Sequence, residues 1–289
     1  MTRDTIFPEQ ARIISHDGHA DGQYIMRLHA PLVAEHALPG SFIHVQCDPE
    51  ILMRRPMSIM LTDPKEGSIT ILYKAHGEGT RQLSKRKVGE ILDLLGPIGT
   101  PFKLEDYRKR PLLIGGGVGI PPMIFLAEHI KNTSADIQPF VIMGSEIPFP
   151  FKSRPSQFMV PGIPEGIIAA MPLLEDWGIP SRLTSLQGYA GCFEGYVTDL
   201  AQHWLDTLDK EHITEVEIFC CGPTPMLVAV SQLARDYALP CQVSLEEYMA
   251  CAVGGCAGCT VYVETKAGPS MQRVCVDGPV FDAYSVFPA

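Results

Sequence analysis

Four cysteines, Cys251, Cys256, Cys259 and Cys275, follow one another as C-x4-C-x2-C-x15-C, the plant-type ligand spacing of a [2Fe–2S] cluster. Such a cluster needs thiolates converging from one tight loop and one more distant segment. Gly254, Gly255 and Gly258 give that loop room to close round the irons without Cβ clashes. Backbone N–H groups turned towards sulfur then tune the potential of a centre whose four thiolates outweigh the charge of about +2 on its oxidised iron–sulfide core. Four cysteines also suit a structural zinc ion, although zinc ribbons favour two C-x2-C pairs and only one such pair stands here. The other cysteines, Cys47, Cys192, Cys220, Cys221 and Cys241, lie in or beside apolar runs, where a thiol packs as a small hydrophobe.

A second chemistry is written in charge. Between Arg54 and Lys87 there are eight basic residues and three acidic ones, in a chain of 23 Lys and Arg, 33 Asp and Glu and net charge −10. A solvated surface explains part of this reversal, Lys85 to Lys87 above all. Arg55-Pro56-Met57-Ser58 is different: an arginine at the mouth of a strand beside a hydroxyl can clamp a phosphate while the following backbone meets a planar ring. Gly79 and Thr80, at the start of a short helical pattern with Thr80 as its N-cap, add N–H donors for an anion. Further on, Gly115, Gly116, Gly117 and Gly119 follow an apolar strand pattern and precede a helix, a turn over which a dinucleotide can approach the backbone. The spacing departs from G-x-G-x-x-G, and a plain strand-to-helix turn reads the same way. Cys221, Gly222 and Pro223 end a later strand pattern in similar fashion. Glu146 suits a ribose hydroxyl and would repel a 2′-phosphate, favouring NAD over NADP; a free surface carboxylate fits equally.

Elements must hold these groups. Six short apolar or alternating runs, at Ala11–Ser15, Gln23–His29, Ser41–Cys47, Pro56–Leu61, Ser68–Ala75 and Val88–Asp93, predict a small antiparallel β-barrel. After Pro101 the rhythm becomes strand, glycine turn, helix: strands at Pro111–Ile114, Phe140–Met143, Val216–Cys220 and Gln242–Leu245 alternate with helices at Pro121–Lys131, Thr198–Asp209 and Thr224–Tyr237, the signature of a parallel sheet. Residues 145–195, rich in Pro and Gly, give no readable period. With 289 residues and 46% apolar content the chain excludes extensive disorder and accommodates two domains and a small third. Its acidity argues against general binding of nucleic acid or anionic lipid. The first ten residues carry no apolar leader, and the most apolar stretch, Pro111 to Ala127, is too short and too interrupted by Gly and Pro to span a bilayer, so a cytoplasmic location is expected.

Arg55-Pro56-Met57-Ser58, Leu72-Tyr73-Lys74, Gly77-Glu78-Gly79-Thr80 and Gly96-Pro97-Ile98-Gly99 resemble the FAD-binding elements of the ferredoxin reductase superfamily. In this order, followed by the glycine turn at Gly115–Gly119, Cys221-Gly222-Pro223 and the four cysteines, they look most like the electron-transfer subunits of type B dihydroorotate dehydrogenases. Met57 stands where an aromatic residue or isoleucine is more usual, and residues 145–191 look longer than the family pattern. The resemblance implies a β plus α/β multidomain chain: an N-terminal antiparallel FAD-binding β-barrel at 1–104, a Rossmann-like α/β NAD-binding domain at 105–245 and a small [2Fe–2S] domain at 246–289. It implies FAD contacts at Arg55, Pro56, Met57, Ser58, Leu72, Tyr73, Lys74, Gly79 and Thr80, and NAD contacts at Gly115, Gly116, Gly117, Gly119, Cys221, Gly222 and Pro223. The implied partner is an FMN-containing catalytic subunit that oxidises dihydroorotate to orotate in pyrimidine synthesis, in a heterotetramer of two plus two. No catalytic residue for dihydroorotate is identifiable here, so the chain alone should not oxidise it. The rivals are a related NAD(P)-linked reductase serving a hydrogenase, sulfide dehydrogenase or oxygenase, and a non-enzymatic zinc module.

Overall fold

The structure, a computed structural model, describes residues 5–103, 108–134 and 136–288. The chain divides into two compact units, Met1–Phe102 with Ser244–Phe281, and Lys103–Val243 with Asp282–Ala289. The boundary drawn from the sequence at 104/105 and the charged residues Arg3 and Asp4 lie outside the described residues.

In the first unit β1 (Phe7–His19), β2 (Gln23–His29), β3 (Phe42–Val45), β4 (Arg55–Asp63), β5 (Ser68–Lys74) and β6 (Ile91–Ile98) close a barrel in the order β1-β2-β5-β4-β3-β6. Alternation builds it: Ala11 and Ile13 of β1, Met26 and Leu28 of β2, and Ile69 and Ile71 of β5 are all buried. β1 runs beyond Ser15 because the polar His16 to His19 still pair through backbone with Gln23 to Met26, past a register shift between Ile13 and Ser15. Helix α1 (Pro31–His36) has no local N-cap bond; instead Glu9 accepts from the N–H groups of Leu32 and Val33 at 3.1 and 2.8 Å. Helix α2 (Glu78–Leu83) is capped at Gly77 and not, as the sequence suggests, at Thr80. Thr80 stands three positions on, and its hydroxyl accepts from the N–H groups of His76 and Gly77 at 3.0 and 3.1 Å.

The second unit places β7 (Arg110–Gly116), α3 (Ile120–Thr133), β8 (Phe140–Gly144), the short pair β9 (Arg154–Pro155) and β10 (Ala169–Ala170), α4 (Pro172–Asp176), β11 (Ser181–Thr184), α5 (Val197–Leu205), α6 (Lys210–Ile213), β12 (Val216–Cys221), α7 (Thr224–Asp236) and β13 (Cys241–Ser244). Its strands run in the order β11-β8-β7-β12-β13, with β11, β8, β7 and β12 parallel. Leu112 to Ile114, Val141 to Met143 and Ile218 to Cys220 are unexposed, as strands covered on both faces require. Gly115 and Gly116 belong to β7, which leaves Gly117–Gly119 as the turn. Residues 145–191 hold together through polar side chains: buried Glu175 accepts from Ser156 Oγ and Gln157 N–H at 2.8 and 2.9 Å, and Arg182 donates to the carbonyls of Phe158 and Ser181, both at 2.7 Å.

The C-terminal segment contributes a hairpin, β14 (Thr260–Thr265) and β15 (Gly268–Arg273), then β16 (Val280–Asp282) and α8 (Ala283–Val286). In the second unit the turn after β7 passes close to the end of β12, where a Cβ on Gly119 would stand 2.3 Å from the Cys221 carbonyl oxygen. Overpacking of this kind costs about 1–3 kcal/mol. Gly119→Ala should therefore destabilise the second unit by that amount, read in urea unfolding as a lower midpoint with little change in the slope.

Candidate functional site

The loop after Leu245 brings Cys251, Cys256 and Cys259 towards Cys275. Cys251 interacts with Cys256 and Cys275 with Cys259, with a further electrostatic influence of Cys251 on Cys275. Two pairs of thiols are what two irons ask of a chain. Among the described residues no three His, Cys, Asp or Glu side chains stand close enough together to hold one metal ion.

Loop geometry turns donors inward. Cys256 N–H donates to Cys251 Sγ and Gly258 N–H to Cys256 Sγ, each at 3.4 Å. Of the three glycines the sequence singles out, only Gly254 is left-handed, at φ 78°, and a Cβ there would meet Val276 at 2.5 Å. The other left-handed bends fall on Ala252 and Ala257, at φ 55° and 54°, which composition cannot announce. Burial pushes the Cys251 thiol up, but the backbone N–H groups of Val253, Cys256 and Gly255 and the Cys256 side chain outweigh it and bring it to about 7. Burial, with Cys259 beside it, pushes Cys275 up to about 12. Arg273 ties the two sides together: its Nη1 donates to the Gly254 carbonyl at 3.1 Å, its N–H to Asp277 Oδ2 at 2.8 Å, and the next residue's N–H reaches the Cys259 carbonyl at 3.0 Å. Arg273 carries no signal readable before folding.

The same unit sets this segment against the barrel. Thr100, just past β6, donates through its N–H to the Gly278 carbonyl at 2.6 Å and through Oγ1 to the Val276 carbonyl at 3.2 Å, while Leu245 N–H closes the C-terminal stretch on itself through the Pro279 carbonyl at 2.9 Å. Gly96-Pro97-Ile98-Gly99, the end of β6 and its following turn, thus leads straight to Thr100, which meets the cysteine segment in an isolated bridge with Pro279. At Gly99, φ is 96° and a Cβ would lie 2.4 Å from Pro279.

Two adjacent arginines take different parts. Arg54 is paired with Asp93 at 2.5 Å, whereas Arg55 donates only to the carbonyls of Met53 and Arg54, at 2.7 and 3.1 Å, and has no acidic partner among the described residues. Its guanidinium lies over Gly79, where a Cβ would stand 3.2 Å from Nε. An unneutralised guanidinium held over bare backbone fits the diphosphate of FAD. Met57 is buried opposite Ile43, and Ser58 stands half-buried opposite Phe42. Leu72 is buried and Lys74 exposed. Tyr73 is committed elsewhere: its ring stacks on Tyr24 at 5.4 Å and its hydroxyl bonds His16 Nε2 at 2.8 Å.

In the second unit the two glycine segments meet. Cys221 pairs with Gly115 across β12 and β7, and a Cβ on Gly116 or Gly222 would collide with Met226 at 2.5 or 2.4 Å. Strand order reverses between β7 and β12, so Gly115 to Gly119 and Cys221-Gly222-Pro223 flank the switch point at the carboxyl ends of the strands, where open α/β sheets bind nucleotides. Gly117, at φ 54°, has open space where a side chain would stand. Cys221 is buried beneath Gly119, and Glu146 is exposed just past β8.

The sequence profile of the iron–sulfur cluster binding domain of dihydroorotate dehydrogenase B matches residues 246–287. The "Dihydroorotate dehydrogenase B (NAD(+)), electron transfer subunit" of Caldanaerobacter subterraneus subsp. tengcongensis is 35% identical over 96% of this chain and 97% of its own. That of Shouchella clausii is 31% identical over 91% of each. Among solved structures, one described as "NADH-dependent reduced ferredoxin-NADP oxidoreductase" superposes with a TM-score of 0.75 at 26% identity, covering 96% of this chain and 90% of that one. A ferredoxin reductase of carbazole 1,9a-dioxygenase shares the fold, with a TM-score of 0.63 at 19% identity over 81% of this chain and 67% of that one.

The thiols' different surroundings predict an order of reaction. In the metal-free chain at pH 7.5, iodoacetamide should modify Cys251 at least about tenfold faster than Cys275, because the thiolate is the nucleophile. The Cys251 rate should rise with pH and level off above 7. Peptide mass spectrometry over a time course measures both.

Proposed function

The chain belongs to the family of dihydroorotate dehydrogenase B electron transfer subunits, and on that premise we propose that it takes up electrons released when a partner catalytic subunit oxidises dihydroorotate to orotate and delivers them to NAD⁺. The observation that carries this reading is the pairing of Cys251 with Cys256 and of Cys259 with Cys275 within the compact unit that also holds Arg55. When bound, FAD supplies the conversion between a two-electron hydride and single electrons, and the [2Fe–2S] cluster accepts single electrons.

The chain's own residues do the rest. Cys251, Cys256, Cys259 and Cys275 ligate the irons, and Arg273 closes the loop over them through the Gly254 carbonyl. Arg55 clamps the FAD diphosphate with Gly79 and Thr80 beneath it, while Pro56, Met57 and Ser58 and the backbone of Leu72, Tyr73 and Lys74 border the ring. Gly115, Gly116, Gly117, Gly119, Gly222 and Pro223 keep the carboxyl edge of the sheet clear for NAD, with Cys221 as buried support. The cysteine segment, whose electrons must cross to another protein, is the docking face for the FMN-containing subunit, in a heterotetramer of two plus two. No helix among the described residues is long and apolar enough to cross a membrane, and a cytoplasmic location fits the thiol chemistry.

Anaerobic reconstitution tests the proposal. The wild-type chain should take up FAD and equimolar iron and sulfide, show a paramagnetic signal after dithionite, and oxidise dihydroorotate with NAD⁺ only when the catalytic subunit is added. Turnover by the chain alone would refute the division of labour. Cys275→Ser should lose the cluster and keep FAD. Arg55→Ala should weaken FAD binding by about tenfold or more, the worth of a hydrogen bond to a charged group, and keep the cluster.

A further inference from the structure

His44 interrupts an otherwise apolar strand. Phe42, Ile43, His44 and Val45 are all buried, and His44 has 0% exposure. Its register partner is Pro56, and Phe42 pairs with Ser58. Directly opposed residues of an antiparallel pair share a face, so His44 lies on the face of the β3–β4 ribbon that carries Pro56 and Ser58, while Ile43 and Met57 occupy the other. The backbone of Met249, two residues before Cys251, reaches the same ring.

That ring is poorly provided for. Neither Nδ1 nor Nε2 closes a hydrogen bond among the described residues, although backbone acceptors of Met249 and Arg54 lie close enough to favour protonation. Burial, helped by the charges of Arg54 and Arg55, outweighs them and brings the pKa down to about 4. A neutral imidazole offers one donor and one acceptor nitrogen. Leaving a buried polar group unmade costs about 1–3 kcal/mol, a penalty any aliphatic side chain would avoid. Histidine here therefore points to a partner that closing the barrel does not itself require.

The segment it faces needs an anchor. Residues 246–250 form no regular element, Tyr248 is 95% exposed and Met249 is buried. The run is fastened at its start by Leu245 N–H to Pro279, and Met249 is the last buried residue before the ligands.

We propose that His44 is a positioning residue whose ring donates to the Met249 carbonyl, fastening the approach to Cys251 onto the strand pair that carries Arg55-Pro56-Met57-Ser58. The cluster loop and the flavin-binding strand are thereby held in one fixed relation. This rests on the function proposed above and adds to it the residue that joins the two cofactor sites.

The test uses the FAD- and iron-loaded chain, reduced anaerobically and mixed with a ferrous chelator. His44→Leu removes the donor at similar volume; His44→Asn and His44→Gln return an amide donor near the Nδ1 and Nε2 positions. Iron release from His44→Leu should be about tenfold faster or more, the usual effect of losing an outer-sphere contact. Its paramagnetic g-values should shift, FAD content should hold, and at least one amide variant should release iron at the wild-type rate. Wild-type release and an unchanged spectrum in His44→Leu would overturn the proposal. If His44→Leu does not fold, the amide pair decides: fast release from both overturns the proposal, and wild-type release from either upholds it. A wild-type chain that takes up no cluster would instead overturn the underlying function and the proposal with it.

Discussion

Two bonds, Thr100 N–H to the Gly278 carbonyl and Thr100 Oγ1 to the Val276 carbonyl, carry the constraint on which the first unit depends. They fix a cysteine-bearing segment from the end of the chain onto a barrel built from its beginning. A flavin and an iron–sulfur centre exchange electrons only if the protein fixes their separation and orientation, and a loosely tethered domain would fix neither. Packing enforces the same join: Gly99 and Gly40 approach Pro279 and Val280 so closely that a Cβ would stand 2.4 and 3.0 Å from their side chains.

On the function proposed above, the two nucleotide-binding places solve one problem in different ways. The barrel answers phosphate with a cation: Arg54 is neutralised by Asp93, and Arg55 beside it is left with carbonyl partners alone. The α/β unit answers by removing side chains, so that backbone at the switch point between β7 and β12 can be approached closely. A chain of net charge −10 can attract anions only through such local arrangements, because its long-range field opposes them.

What could be read before folding, and what could not, divides along physical lines. The barrel and the parallel sheet follow from periodicity, and β2 appears at Gln23–His29, the very bounds its alternation marks. β1 runs past Ser15 because pairing is a backbone matter that polar side chains do not interrupt. α1 escapes notice since its N-terminus is satisfied by Glu9, 23 and 24 residues away in sequence. Residues 145–191 resist for a similar reason: their order comes from buried Glu175 and Arg182, whose partners no periodic pattern identifies. In the cysteine segment the residue types and their spacing were legible, whereas the arginine that closes the loop and the alanines that bend it were not.

Those alanines bear on how the cluster loop is held. Ala252 and Ala257 occupy left-handed backbone at φ 55° and 54°, a conformation costing an L-residue roughly 1–2 kcal/mol. Glycine would remove that cost, yet glycine also loses more entropy on ordering, so the two terms partly offset each other. The bends turn the N–H groups of Cys256 and Gly258 onto sulfur, and such bonds strengthen when the acceptor carries charge. Thiols alone repay the strain weakly and thiolates bound to iron repay it well, so cluster binding and ordering of residues 251–259 are coupled in one free energy. On the function proposed above, the part of the chain that meets the partner is thus the part whose final shape is set by the metal it would carry.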